Sequence, residues 1–126
     1  MIYGIGTDII EIDRIHRALD RNLKLLDKLF SDKELEILKN KKYKPESVAG
    51  NFCAKEAVMK ALGTGLRGFQ LKDVQILRDE LNKPFVVPQG KFLELCKEKN
   101  VAEIMVSISH SKNYATANAI AITKDL

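Results

Sequence analysis

The sequence predicts an α+β protein in which an antiparallel β-sheet is packed around a long alanine-rich helix. Three segments carry this reading. Ile2 to Ile10 alternates like a strand and sets Gly4, Gly6, Asp8 and Ile10 on one face. Pro45 to Leu62 is small or apolar nearly all round, as a buried helix is. Tyr114 to Thr123 reads as a strand whose Ala115, Ala117, Ala119 and Ala121 share one flat face, which would let that helix approach closely.

The elements follow in order. Glycine within the first strand points to another element lying against it. Glu11 and Asp13 then supply negative charge where a helix begins, and the helix runs from about Ile12 to Phe30 with a break expected near Asp20 to Asn22. Ser31 and Glu34 fit a capping box that opens a second helix to about Lys41. Pro45 suits the first turn of the alanine-rich helix, and Gly63 ends it. Phe69 to Asp79 and Lys83 to Val87 are predicted as strands joined around Asn82, and Lys91 to Lys99 as a short helix. Ile104 to Ser109 and Tyr114 to Thr123 form a hairpin turning at Ser111, Lys112 and Asn113.

The 126 residues are read as a single domain, 1–126. Hydrophobic residues at 45% and charged residues at 30% exclude a disordered chain. No apolar run approaches the roughly 18 residues that span a bilayer, and the opening residues lack the basic leader of a signal peptide. Cys53 and Cys96 form no Cys-x-x-Cys pair, which points to a reducing, cytoplasmic setting. The formal net charge of +4 is mild and suits an anionic partner.

Glu56 and Lys60 lie four apart on one face of the alanine-rich helix, in line with Ala49 and Cys53. That spacing serves an ordinary exposed ion pair as well as a site. Asp8 is equally open, as a cap for the following helix or as a partner for Glu56. If the first strand and this helix pack together, the two carboxylates can converge. A pair of carboxylates suits magnesium, which keeps waters and takes further oxygens from substrate phosphates, with Lys60 neutralising phosphate charge. His110 sits where a strand enters a turn and could contact phosphate or be structural; His16 reads as surface. Gly63 to Gly68 matches G-x-G-x-x-G but closes a helix instead of opening one, so a dinucleotide fold is excluded. Arg14, Arg17, Arg21, Lys24 and Lys28 recur at three- and four-residue intervals as one basic stripe. The stripe is a docking strip for an acidic partner or a solvated face, with Ile15, Leu19, Leu26 and Leu29 supplying the core side.

Three of these stretches together, Gly4 to Ile12, Phe52 to Ala57 continuing to Gly65, and Val106 to His110, resemble the small holo-acyl-carrier-protein synthase branch of the phosphopantetheinyl transferases. The resemblance implies that Asp8 and Glu56 bind magnesium, and that Lys60, Gly63 and His110 lie among the contacts to coenzyme A. It further implies that Arg14, with Arg21, Lys24 and Lys28 after it, engages an acidic acyl carrier protein. It implies a homotrimer with its sites at subunit interfaces, acting in fatty acid biosynthesis. The chain departs from the family pattern at Asn51, where an arginine is usual, and at Cys53, where another small residue is usual. Two rivals have different consequences. A nucleic-acid binder would use the basic stripe, but aromatic residues are only 6% and none interleaves with it for base stacking. A magnesium-dependent nucleotide hydrolase would use the same carboxylates and need no acceptor protein.

Overall fold

The computed structural model describes residues 1–124. The order of elements is β1 (Ile2–Glu11), α1 (Ile12–Arg21), α2 (Leu25–Leu29), α3 (Asp32–Asn40), α4 (Pro45–Leu62), β2 (Val74–Arg78), β3 (Pro84–Pro88), α5 (Gly90–Glu98), β4 (Val101–His110) and β5 (Tyr114–Thr123). Two antiparallel sheets result, one of three strands in the order β1-β5-β4 and one the hairpin β2-β3.

The helix α4 lies across the three-stranded sheet. The alanine face of β5 is fully buried against it, with Ala115, Ala117, Ala119 and Ala121 all at 0–1% exposure. Small side chains on the strand let the helix backbone come close, and β1 shows how close. A Cβ at Gly4 would collide with the carbonyl oxygen of Ala61, and one at Gly6 with that of Ala57. The glycines are therefore a notch for α4. The opposite face of β1 points outward: Ile5 and Ile9 are 72% and 66% exposed.

The expected first helix is two. It stops at Arg21, Asn22 turns to extended backbone, and the Asn22 Oδ1 accepts from the Lys24 N–H at 3.1 Å before α2 begins. Ile15, Leu19, Leu26 and Leu29 nevertheless reach one core with Phe30, Leu38 and Val48. The capping box at α3 is present: Ser31 Oγ accepts from the Glu34 N–H, and Glu34 Oε1 accepts from the Ser31 N–H at 2.9 Å. Glu34 does more than cap. It is fully buried, pairs with Lys55 at 2.6 Å, and accepts the Ile76 N–H at 3.0 Å. Lys55 completes its donors on the carbonyls of Leu71 and Val74. One buried ion pair thus joins α3, α4 and β2. The expected strand from Phe69 starts late, at Val74, because the Asp73 carboxylate accepts the Gln70 N–H and holds Leu71–Asp73 in a 3-10 turn. β4 in turn begins earlier than expected, at Val101.

Candidate functional site

The glycine notch fixes where Asp8 goes. Two residues beyond Gly6 on the same face of β1, its side chain meets α4, and Cys53 Sγ donates to Asp8 Oδ2 at 3.4 Å. One turn and two turns further along α4 come Glu56 and Lys60. Lys60 Nζ donates to Asp8 Oδ1 at 3.3 Å and to the Thr7 carbonyl at 3.0 Å. The lysine side chain is 56% exposed and the aspartate 19%, so the pair sits at a surface. Burial, then the charge of Asp8, raises the proton affinity of the Glu56 carboxyl, while Lys60 opposes the rise. The two acids are therefore close enough to repel, and the helix ion pair considered from spacing alone is part of a three-residue cluster. The capping alternative for Asp8 falls away, because α1 begins at Ile12 and its N-cap position is Glu11.

The donor set bears on which cation could sit here. Among the described residues no three His, Cys, Asp or Glu side chains gather to hold a metal, so a closed cage is absent. Cys53 is no ligand. Burial first, and then Asp8 through its hydrogen bond and charge, push the thiol up to about 12, so it stays protonated and donates. What remains is two hard carboxylates with an open side, already attracting the Lys60 ammonium. That set fits magnesium, which binds through one or two carboxylates and completes its shell with water and phosphate oxygens.

Glu56, Lys60 and Gly63 border a cavity of about 620 Å³ whose apolar wall includes Phe52, Met59 and Leu66. That volume lies in the range of small-molecule sites. Gly63 is the left-handed cap of α4, at φ 74°, and its N–H closes on the Met59 and Lys60 carbonyls. His110 is not brought to this cavity. It ends β4 and borders a different basin with Lys41, Ser47 and Arg78. Arg14, Arg17, Arg21, Lys24 and Lys28 are all exposed, but the interruption after Arg21 divides them between two helices. Arg17 is also paired with Asp13 at 2.9 Å. The single helical stripe expected from the spacing is thus corrected to two short basic faces, the physical cause being the Asn22 turn. His16 is at the surface, 3.6 Å from Asp20.

The model of the 4'-phosphopantetheinyl transferase superfamily matches residues 4–119. The chain belongs to that superfamily. Its similarity to this transferase family is strong at every level. It is 49% identical over 120 residues to the holo-[acyl-carrier-protein] synthase of Clostridium botulinum (strain Eklund 17B / Type B), covering 95% of this chain and 97% of the relative. The corresponding protein of Alkaliphilus metalliredigens is 49% identical over 121 residues, covering 96% and 99%. Among solved structures, the Plasmodium yoelii acyl carrier protein synthase with ADP bound superposes with a TM-score of 0.91 at 33% identity, over 99% of this chain and 98% of that one. The Helicobacter pylori synthase in complex with coenzyme A gives 0.83 at 31% identity, over 94% and 99%.

In this phosphopantetheinyl transferase the departure at position 51 has a structural counterpart. Asn51 is buried, and its Oδ1 accepts from Arg78 Nη2 at 2.7 Å. Arg78 comes from β2, the strand docked through Glu34 and Lys55. No local sequence pattern places Arg78 there, because β2 is docked against α4 through the buried Glu34–Lys55 pair. The departure at Asn51 marked the position without naming the residue that meets it.

Proposed function

We propose that the chain transfers the 4'-phosphopantetheine group of coenzyme A to a serine of an apo acyl carrier protein and releases 3',5'-ADP, with magnesium, in support of fatty acid biosynthesis. The observation that carries this reading is the gathering of Asp8 with Glu56 and Lys60, the latter two lining one cavity. The ligands named in the solved relatives, coenzyme A and ADP, agree with it.

The serine hydroxyl oxygen forms a bond to the phosphorus that bears the pantetheine arm. The bond from that phosphorus to the bridging oxygen breaks, and the electron pair leaves with 3',5'-ADP. The serine proton must go to a base. Glu56 is the proposed protein base: in the metal-free chain burial and Asp8 raise its affinity for a proton. Lys60 is half exposed and, among the described residues, is held by Asp8 and the Thr7 carbonyl, so its ammonium can turn to a phosphate oxygen. Asp8 and Glu56 would hold magnesium, which when bound supplies charge neutralisation at the pyrophosphate. The apolar wall at Phe52, Met59 and Leu66 suits the pantetheine arm.

The exposed Ile5, Ile9, Met105 and Ile120 form an apolar outer face on the three-stranded sheet, which supports a trimer. The separation of His110 from Glu56 supports sites shared between subunits. Arg14 and Arg21, exposed on α1, are the proposed contacts to the acidic carrier, with Lys24 and Lys28 continuing them on a second face. Two buried free cysteines, and the absence among the described residues of a helix able to cross a membrane, agree with the cytoplasm as its setting.

The deciding experiment mixes the chain, magnesium, coenzyme A and an apo carrier protein. Mass spectrometry should show the carrier gaining one phosphopantetheine. Release of product without any carrier would favour the hydrolase instead. Arg14→Glu with Arg21→Glu should weaken carrier binding about tenfold or more while coenzyme binding stays within about twofold, each ligand titrated alone.

A further inference from the structure

Cys53 departs from the usual small residue of the family pattern, and its thiol has a specific contact. The side chain is fully buried on α4, within the core cluster beneath the sheet. Its companions in that cluster are apolar, yet Sγ lies 3.4 Å from Asp8 Oδ2. A thiol is a weak donor and a carboxylate an acceptor, so the hydrogen bond runs from Cys53 to Asp8. The rest of Asp8 is held independently. Its backbone faces Ala117 in the β1-β5 ladder, and its carbonyl accepts from Thr116 Oγ1 at 2.9 Å. Gly6 admits α4 to β1 and so sets how near the helix comes. What remains free is rotation of the side chain, and there the two carboxylate oxygens differ. Oδ2 is engaged by the buried thiol, whereas Oδ1 accepts from Lys60 Nζ at 3.3 Å. Among the described residues no other hydrogen bond reaches this carboxylate. The Lys60 ammonium, half exposed beside the cavity, marks where a cation is drawn in: it meets Oδ1 and the Thr7 carbonyl.

We propose that Cys53 is a positioning residue for Asp8: it limits that carboxylate to one oxygen toward a divalent cation and so makes the site discriminate magnesium from calcium. This role rests on the magnesium reading of Asp8 and Glu56. Calcium gathers more oxygens than magnesium, in a flexible shell, and readily takes both oxygens of one carboxylate. An oxygen already engaged by a buried donor is a poor second ligand, because chelation through it gives up that hydrogen bond. Magnesium is not penalised in this way. It demands a near-octahedral shell, takes single oxygens from one or two carboxylates, and fills the rest with water and phosphate oxygens. Alanine in place of Cys53 offers no donor and leaves Oδ2 available to the larger ion.

The test is calorimetric titration of magnesium and of calcium, with and without coenzyme A, onto the wild type, Cys53→Ala and Cys53→Ser. Cys53→Ala should tighten calcium relative to magnesium by roughly 3–10-fold. Cys53→Ser, whose hydroxyl donates in place of the thiol, should keep the wild-type ratio within about twofold. An unchanged ratio in Cys53→Ala overturns the proposal. So does a Cys53→Ser ratio that follows Cys53→Ala, because both side chains are smaller than cysteine and packing alone would then be at work. If Cys53→Ala fails to fold, Cys53→Val fills the space without a donor and decides by the same ratio. A wild type that binds neither ion under either condition refutes the magnesium reading, and the discrimination with it. A wild type that binds magnesium, with one ratio throughout the series, refutes the role of Cys53 alone. In the metal-free protein the Asp8 carboxyl carbon resonance should move in Cys53→Ala and stay near its wild-type position in Cys53→Ser; no movement in Cys53→Ala overturns the positioning.

Discussion

Glu56 is the residue whose behaviour tests the site most directly. Its carboxyl binds a proton more tightly than an ordinary glutamate, chiefly through burial and secondarily through Asp8. The folded chain therefore holds that proton to higher pH than the unfolded chain does. This contribution to stability is present below the ordinary glutamate value and is lost as pH rises through the raised one. Two results should follow together. Glu56→Gln should lower turnover by at least about 100-fold and at neutral pH raise the melting temperature of the metal-free protein. In the metal-free protein the Glu56 carboxyl should titrate above the ordinary glutamate value and move lower in Asp8→Asn, as read by carboxyl NMR. Coincident loss of turnover and of stability in Glu56→Gln would contradict this account. The same scale shows how far a sequence can be read. Asp8, Glu56 and Lys60 were legible because fixed spacing on a helix and alternation on a strand place side chains on faces. Arg78 was illegible because its partner Asn51 lies 27 positions away on another element.

At the level of elements, the geometry depends on a notch and a clamp. The notch is the pair of glycines that brings the α4 backbone against β1. Gly6→Ala should destabilise by about 1–3 kcal/mol, since a backbone carbonyl cannot step aside as a side chain can. It should also weaken the proposed magnesium binding, because it pushes Asp8 away from Glu56; chemical denaturation and a metal titration check the two parts. The clamp is Glu34 with Lys55, fully buried and hydrogen bonded to Leu71, Val74 and Ile76. Lys55→Met strands a buried carboxylate and should cost about 3–5 kcal/mol, whereas adding Glu34→Leu should restore part of that loss. A double variant as unstable as the sum of the singles would show that the pair is not coupled. The capping box, the proline start and the glycine stop were all readable from local residue types. The break after Arg21 was readable only approximately, and the late start of β2 not at all, because a side chain from Asp73 competes there with strand geometry.

For the molecule as a whole, the three-stranded sheet has one face closed by α4 and one left apolar and open. Ile5→Lys combined with Ile9→Lys should convert the proposed assembly of three copies into single chains, as read by sedimentation or light scattering, and turnover should fall with it. Single chains of the double variant that retain full turnover would remove the shared-site reading. The α+β class and the packing of β1 and β5 on α4 were visible in the sequence because glycine and alanine leave a flat surface that only a closely approaching helix explains. Assembly was not visible in this way. An alternating strand looks the same whether its second apolar face meets water or another copy.

The pairing order β1-β5-β4 gives the first strand a single hydrogen-bonded neighbour, and that neighbour is late. Thr116 Oγ1 donates to the Asp8 carbonyl across 108 positions of chain. At ribosomal speeds of about 5–20 residues per second, the notched strand waits roughly 5–20 s before its mate is synthesised. Throughout that wait the backbone edge of β1 stays unpaired and open to chaperones and to neighbouring nascent chains alike. Slow codons placed between α4 and β5 would lengthen the interval, and yield of native enzyme should fall in proportion while that of misassembled product rises.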